Sequence, residues 1–175
     1  EVLLGCGHSQ VILRYALPKE GTAVGVDVRV LWNERDRMLK LALPTPFENA
    51  RYMGQSAYCV QDLPADGREV AAQRWTALHD PASGRALTVI NDTFYGSSCA
   101  GGEMRATLLR SPAYCCHPAQ QREYLPIDRY IERIDQGEHR FRLRLEGGPA
   151  EERLAAVDRE ATVFGEQPMA VNHFP

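Results

Sequence analysis

Five histidines, His8, His79, His117, His139 and His173, are the side chains best suited to move a proton near neutral pH or to ligate a metal. They are scattered along the chain. No two stand at a ligand-pair spacing such as H-E-x-x-H, and no C-x-x-C pair accompanies them. His79 precedes Asp80, but adjacent side chains on extended backbone point to opposite faces, so the two make a poor proton relay. There is no G-x-S-x-G nucleophile turn and no phosphate-cradling glycine motif; the glycine pairs suit turns. Each histidine is expected to be structural or to face solvent. No catalytic residue and no metal ligand is assigned.

The polar sets that remain suit binding better than bond-breaking. In Asn91-Asp92-Thr93-Phe94-Tyr95-Gly96, Asn91 and Asp92 can accept sugar hydroxyls and Tyr95 can stack on a ring. The competing reading is an Asx turn bonded to itself, with Tyr95 tucked against the core. Trp75 follows Gln73 and Arg74, an aromatic beside an amide and a guanidinium, which is a common sugar-contact set. Interior packing is its competing fate, and it is the expected one for Trp32, which ends an alternating apolar face. Arg140, Arg142 and Arg144 share one strand face. Such a stripe grips an acidic partner or domain, or is a solvated face matched by nearby acids.

Composition narrows the classes. A chain of 175 residues with 44% hydrophobic and 25% charged residues suits one globular domain with a sizeable core. A formal net charge of -3 gives no reason to expect nucleic acid or an anionic membrane as partner. No apolar run approaches the roughly 18 residues of a spanning helix. Cys6, Cys59, Cys99, Cys115 and Cys116 are odd in number and irregular in spacing, so free thiols in a reducing compartment are expected. The chain begins at Glu1 with neither methionine nor secretory signal, which suggests a processed or excised piece.

The elements that must position these residues are mostly strands. Val11, Leu13, Tyr15 and Leu17 alternate up to Pro18, and Val24, Val26, Val28, Val30 and Trp32 share the face of the clearest strand. After the polar loop 33–36, Leu39, Leu41 and Leu43 point one way and Lys40 the other, which predicts a hairpin return antiparallel to that strand. Residues 50–60 are strand-like, with Tyr52, Tyr58 and Val60 as packing residues. Turns are predicted at Asp66-Gly67 and over Asp80-Pro81 to Ser83-Gly84. Ala86 to Pro112 is predicted as strand, compact loop and strand, with Met104, Ala106 and Leu108 alternating against Glu103, Arg105 and Thr107. Ile127, Tyr130, Ile131 and Ile134 fit a short helix, and Phe141, Leu143 and Leu145 another strand. Leu154, Val157, Ala161 and Phe164 predict a helix over 151–164, with a possible strand starting at Met169. Many short strands without βαβ alternation argue for an all-β antiparallel sandwich with one or two short helices, spanning 1–175 as a single domain.

Four ordered pieces resemble one family. They are Glu69-x-x-x-Gln73-Arg74-Trp75, Asn91-Asp92-x-x-Tyr95-Gly96, Leu108-Leu109-Arg110-Ser111-Pro112 and Asp135-x-Gly137-x-His139-x-Phe141. The strand ending Arg29-Val30-Leu31-Trp32-Asn33-Glu34, followed by Leu39-Lys40-Leu41, also fits, as does Arg159-Glu160-Ala161 ahead of Pro168. Together they resemble the C-terminal β-sandwich region of family 38 glycoside hydrolases, the retaining α-mannosidases. The stretch 120–134 departs from that pattern, being longer and more helical, and Gly165 stands where asparagine is frequent. The resemblance implies a galactose-mutarotase-like supersandwich, cut from a longer cytoplasmic glycosidase of mannose metabolism. It implies a catalytic domain of the same polypeptide as partner, with zinc held there, and a mannose-containing carbohydrate as substrate. It assigns this chain no cofactor and no catalytic role. The candidates for sugar contact or domain interface are Arg74, Trp75, Asn91, Asp92, Tyr95 and Arg110. A stand-alone carbohydrate-binding module using Trp75 and Tyr95 is the alternative. A mutarotase-like epimerase is a third, and it needs His79, His117 or His139 beside a glutamate.

Overall fold

The computed structural model describes residues 1–113, 132–166 and 168–170. Most of the helix expected at 127–134, Cys115, Cys116, His117, His173 and most of the strand expected from Met169 lie outside them; residues 132–134, which are described, are not helical.

Among the described residues, twelve strands form two antiparallel sheets. The larger orders β1 (Val2–Cys6), β2 (Ser9–Ala16), β3 (Val24–Trp32), β12 (Gly137–Pro149), β9 (Arg85–Asn91), β8 (Trp75–Asp80), β5 (Arg51–Ser56) and β6 (Cys59–Leu63). The smaller orders β4 (Met38–Pro44), β11 (Glu103–Arg110), β10 (Gly96–Ala100) and β7 (Val70–Ala71). The alternating side chains read from the sequence meet between the sheets. Val26, Val28, Val30, Trp32, Leu78, Val89, Phe141 and Leu143 of the large sheet pack against Cys99, Met104, Ala106 and Leu108 of the small one. This is the antiparallel sandwich the strand pattern predicts.

The other face of the large sheet carries α1 (Ala150–Gly165), the one helix among the described residues. Pro149 precedes it, and Glu151 and Glu152 occupy its first turn, where the helix dipole favours acids. Val157 and Ala161, flanked by Leu154 and Phe164, close over Met53, Trp75, Ala77 and Ile90. A second core therefore lies beneath the helix.

Three local expectations are corrected. β4 does not return beside β3; it pairs with β11 in the opposite sheet. Both edges of β3 are already taken, by β2 and by β12, so Leu39, Leu41 and Leu43 can be buried only from across the sandwich. The loop expected after Asn91 contains β10, a full strand that turns into β11 at Gly101-Gly102. Both glycines have positive φ, 55° and 76°, as a two-residue hairpin turn of the right twist requires. Residues 50–60 are not one strand but the β5–β6 hairpin, and Tyr58 and Val60 are exposed at its outer arm.

Candidate functional site

The outer face of the small sheet is expected to be solvated, since its inner face fills the core. One row of neighbouring residues runs across it: Lys40 on β4, Thr107 on β11 and Gly96 on β10, with Ala71 on β7 beyond. Glu69, just ahead of β7, lies down along this row. Its Oε1 accepts a hydrogen bond from the Thr107 hydroxyl, and its Oε2 accepts one from Lys40 Nζ. Lys40 also donates to Ser98 Oγ at 3.0 Å. The bare backbone at Gly96 makes the room: a Cβ there would stand 2.9 Å from Glu69 Oε1 and 3.2 Å from Thr107 Cβ. The result is a fixed network of a carboxylate, an ammonium and two hydroxyls, half-open to water, with Lys40 25% and Glu69 39% exposed.

A groove of about 480 Å³ borders this network, lined among others by Glu69, Tyr95, Thr107, Arg110 and Asp135. Tyr95 is 67% exposed at its rim. Ser111 ties the floor of that rim to the loop after β3: its N–H donates to the Arg37 carbonyl, and its carbonyl accepts from the Asp36 N–H, each at 2.8 Å. The structure thus brings together two of the six candidates, Tyr95 and Arg110.

The other four serve the scaffold. Trp75 is 1% exposed beneath α1, and its Nε1 donates to Asp158 Oδ1 at 2.6 Å. Its ring is not available as a stacking platform for a sugar. Arg74 reaches along the helix end to Glu166 Oε1 at 2.6 Å. Asn91 is buried; its Oδ1 accepts from the N–H groups of Thr93 and Phe94, at 3.2 and 3.0 Å, which is the Asx turn foreseen as the competing reading. Asp92 accepts from Arg142 Nε at 2.6 Å and from the Arg142 N–H at 3.2 Å. The arginine stripe is likewise matched: Arg140 pairs with Glu138 and Arg144 with Glu146, each at 3.0 Å.

Lys40, Glu69, Ser98 and Thr107 were not among the sequence candidates. Alternation does turn Lys40 and Thr107 outward, but it cannot bring Glu69 over Gly96, 27 residues later in the chain. The histidines stay apart among the described residues. His139 bonds the Asp135 carbonyl at 3.0 Å and stacks on Phe141, while His79 Nδ1 is buried with no hydrogen-bond partner. Neither ring is hydrogen-bonded to a glutamate, and His117 lies outside the described residues. No group of three or more His, Cys, Asp or Glu among the described residues could hold a metal ion. Cys6, Cys59 and Cys99 are free thiols. No described helix is long and apolar enough to cross a membrane.

Residues 2–153 match the family described as Glycosyl hydrolases family 38 C-terminal domain. Among solved structures, an alpha-mannosidase from Enterococcus faecalis V583 superposes with a TM-score of 0.71 at 18% identity, over 87% of this chain and 17% of that one. A protein in the glycosyl hydrolase family 38 from Enterococcus faecalis superposes with a TM-score of 0.70 at 19% identity, over 86% of this chain and 17% of that one. The chain thus spans about a sixth of the length of these structures. No curated protein matches.

Proposed function

Because the chain belongs to the family 38 glycosyl hydrolase C-terminal domains, we propose that it is the non-catalytic sandwich domain of a retaining α-mannosidase. In this reading it is one domain of a longer, cytoplasmic polypeptide. It packs on that polypeptide's catalytic domain, which would carry the zinc, and it offers the Glu69 groove to the mannose-containing substrate or to the domain interface.

The observation that carries the reading is the Glu69 network. A carboxylate and an ammonium, locked by two hydroxyls on a sheet face, are oriented in advance to meet hydroxyl groups. Both oxygens of Glu69 are already engaged, so it is suited to orienting and not to attack. Retaining hydrolysis needs two carboxyl groups about 5 Å apart, one of them free as nucleophile. Tyr95 and Arg110 at the rim supply a ring face and a guanidinium beside the network. The stand-alone module keeps only Tyr95 of its two aromatic platforms, because Trp75 is interior.

Two measurements test the proposal. The chain alone should release no product from an aryl α-mannoside. In the parent polypeptide, Glu69→Gln should lower kcat/KM by about tenfold, the worth of one weakened charge-assisted hydrogen bond, with zinc content unchanged. Hydrolysis by the isolated chain that vanishes on mutating one of its own residues overturns the non-catalytic role. Wild-type kcat/KM in both Glu69→Gln and Tyr95→Ala overturns the role of the groove.

A further inference from the structure

We propose that the tip of the β5–β6 hairpin and the adjoining face of α1 form a second carbohydrate-binding site, in which a sugar ring stacks on Tyr58.

Tyr58 stands out on two counts. Its ring is fully exposed, and its backbone has a φ of 65°. A bulky residue in the left-handed region is strained, and a two-residue hairpin turn ordinarily takes glycine or asparagine there. Neither feature helps the fold. Glycine would relieve the strain and remove the apolar ring from water. An aromatic held at such a position is explained by something that covers it.

The ring borders a groove of about 400 Å³, lined by Gln55, Ser56, Gln73, Asp158 and Thr162 among others. That volume falls within the range of small-molecule sites. Two of its polar groups are unspent, and one of them, Asp158, is fixed. Asp158 Oδ1 accepts from the buried Trp75 Nε1 at 2.6 Å and from Gln55 Nε2 at 3.0 Å, while its Oδ2 takes no hydrogen bond from the described residues. Gln73 is pinned by its backbone, whose N–H donates to the Gln55 carbonyl at 2.7 Å, yet its side-chain amide bonds nothing among the described residues. A carboxylate oxygen and a primary amide beside an aromatic face match adjacent hydroxyls and the C–H face of a hexose. The lining holds Asp158 and no cation, and the Arg74 guanidinium that donates to Thr162 Oγ1 at 3.4 Å is paired with Glu166, which disfavours phosphates and nucleic acid. Its apolar share, chiefly Tyr58 and Val60, is small for a protein-docking surface. The site lies on the helix side of the large sheet, whereas the Glu69 groove belongs to the small sheet packed on the opposite side. The choice of mannose as probe rests on the family reading; the site itself does not.

The test is an NMR titration of the 175-residue chain with a mannose trisaccharide. Amide shifts are expected at residues 55–60, 73, 158 and 162, with a millimolar Kd. Tyr58→Gly, which suits the left-handed backbone, should keep or raise the melting temperature and weaken binding at least about tenfold. Tyr58→Phe should bind nearly as well as wild type. Undiminished binding by Tyr58→Gly, or no shifts by about 50 mM sugar, far above a typical weak Kd, overturns the site. Shifts confined to the Glu69 groove overturn it too, while supporting the proposed function. Loss of the Tyr58 site leaves the predicted effect of Glu69→Gln in the parent polypeptide untouched.

Discussion

Beneath the helix, the Arg153 guanidinium donates to both oxygens of Glu160, at 3.0 and 2.5 Å, and to Thr88 Oγ1 at 3.0 Å, and it lies 3.4 Å from Glu146. The side chain is 9% exposed, so this cluster is shielded more than any surface pair. The hydrogen bond from Arg153, with its charge, holds the Glu160 carboxyl below the usual glutamate range against the opposing effect of burial. A carboxyl with a depressed folded-state pKa stabilises fully above its ordinary titration range, and that stability is lost as pH falls through the lower folded value. Arg153→Met removes the cation shared by Glu160 and Glu146 and leaves Glu160 without its bidentate partner, while Glu146 keeps Arg144. We expect a loss of about 2–4 kcal/mol at pH 7, scaled down from a fully buried pair because Glu160 is partly open. The loss should shrink as the pH is lowered to about 3, through the depressed range in which Glu160 takes up its proton. Urea unfolding at the two pH values measures both effects, and an equal loss at each would rule out the carboxylates as its origin.

The helix is held by a stripe four residues deep, and this explains the Gln73-Arg74-Trp75 run. As bare sequence the triple resembles a sugar-contact set. In the fold Trp75 is the floor on which α1 rests, and Arg74 anchors its last turn through Glu166. Val157 is 0% exposed in the middle of that contact. Val157→Asp would bury an unpaired carboxylate against Trp75 and Ile90, at a cost of about 3 kcal/mol or more. The helix should then lift from the sheet. Tryptophan emission should shift to the red from Trp75 alone, since Trp32 lies in the other core between the sheets. An unshifted spectrum with normal stability would mean that α1 is not docked as described.

Across the whole molecule, the large sheet has eight strands and the small sheet four. The small sheet therefore cannot cover both flanks. At one of them, all five residues of β1 are exposed, including Val2, Leu3 and Leu4 at 43%, 66% and 47%. Among the described residues β1 pairs only with β2, so its outer edge has no partner strand among them. An apolar open edge of this kind invites edge-to-edge pairing. Leu3→Lys should change stability by less than about 0.5 kcal/mol, as for other exposed sites, and should reduce self-association in light scattering. A large loss of stability would instead show that Leu3 is packed in the solution state.

Periodicity and turn chemistry determined much of this protein from the sequence alone. The alternation of Val26, Val28 and Val30 marks a strand, the spacing of Leu154, Val157 and Ala161 marks a helix, and Gly101-Gly102 marks a tight turn. Each is a local pattern in which backbone geometry dictates which side chains share a face. The ordered set of short motifs likewise carried the family. Only the tertiary structure decided what each face meets. An apolar stripe reports that it is buried but not by which partner, so β4 read as a hairpin arm when the edges of β3 were already filled from distant strands. The same limit separates the two aromatic candidates: Trp75 was claimed by a helix some eighty residues away, while Tyr95 was left exposed at the rim of the Glu69 groove. The Glu69 network is the strongest case. Its members come from four parts of the chain, and they converge because Gly96, in the middle of the sheet, lacks a side chain.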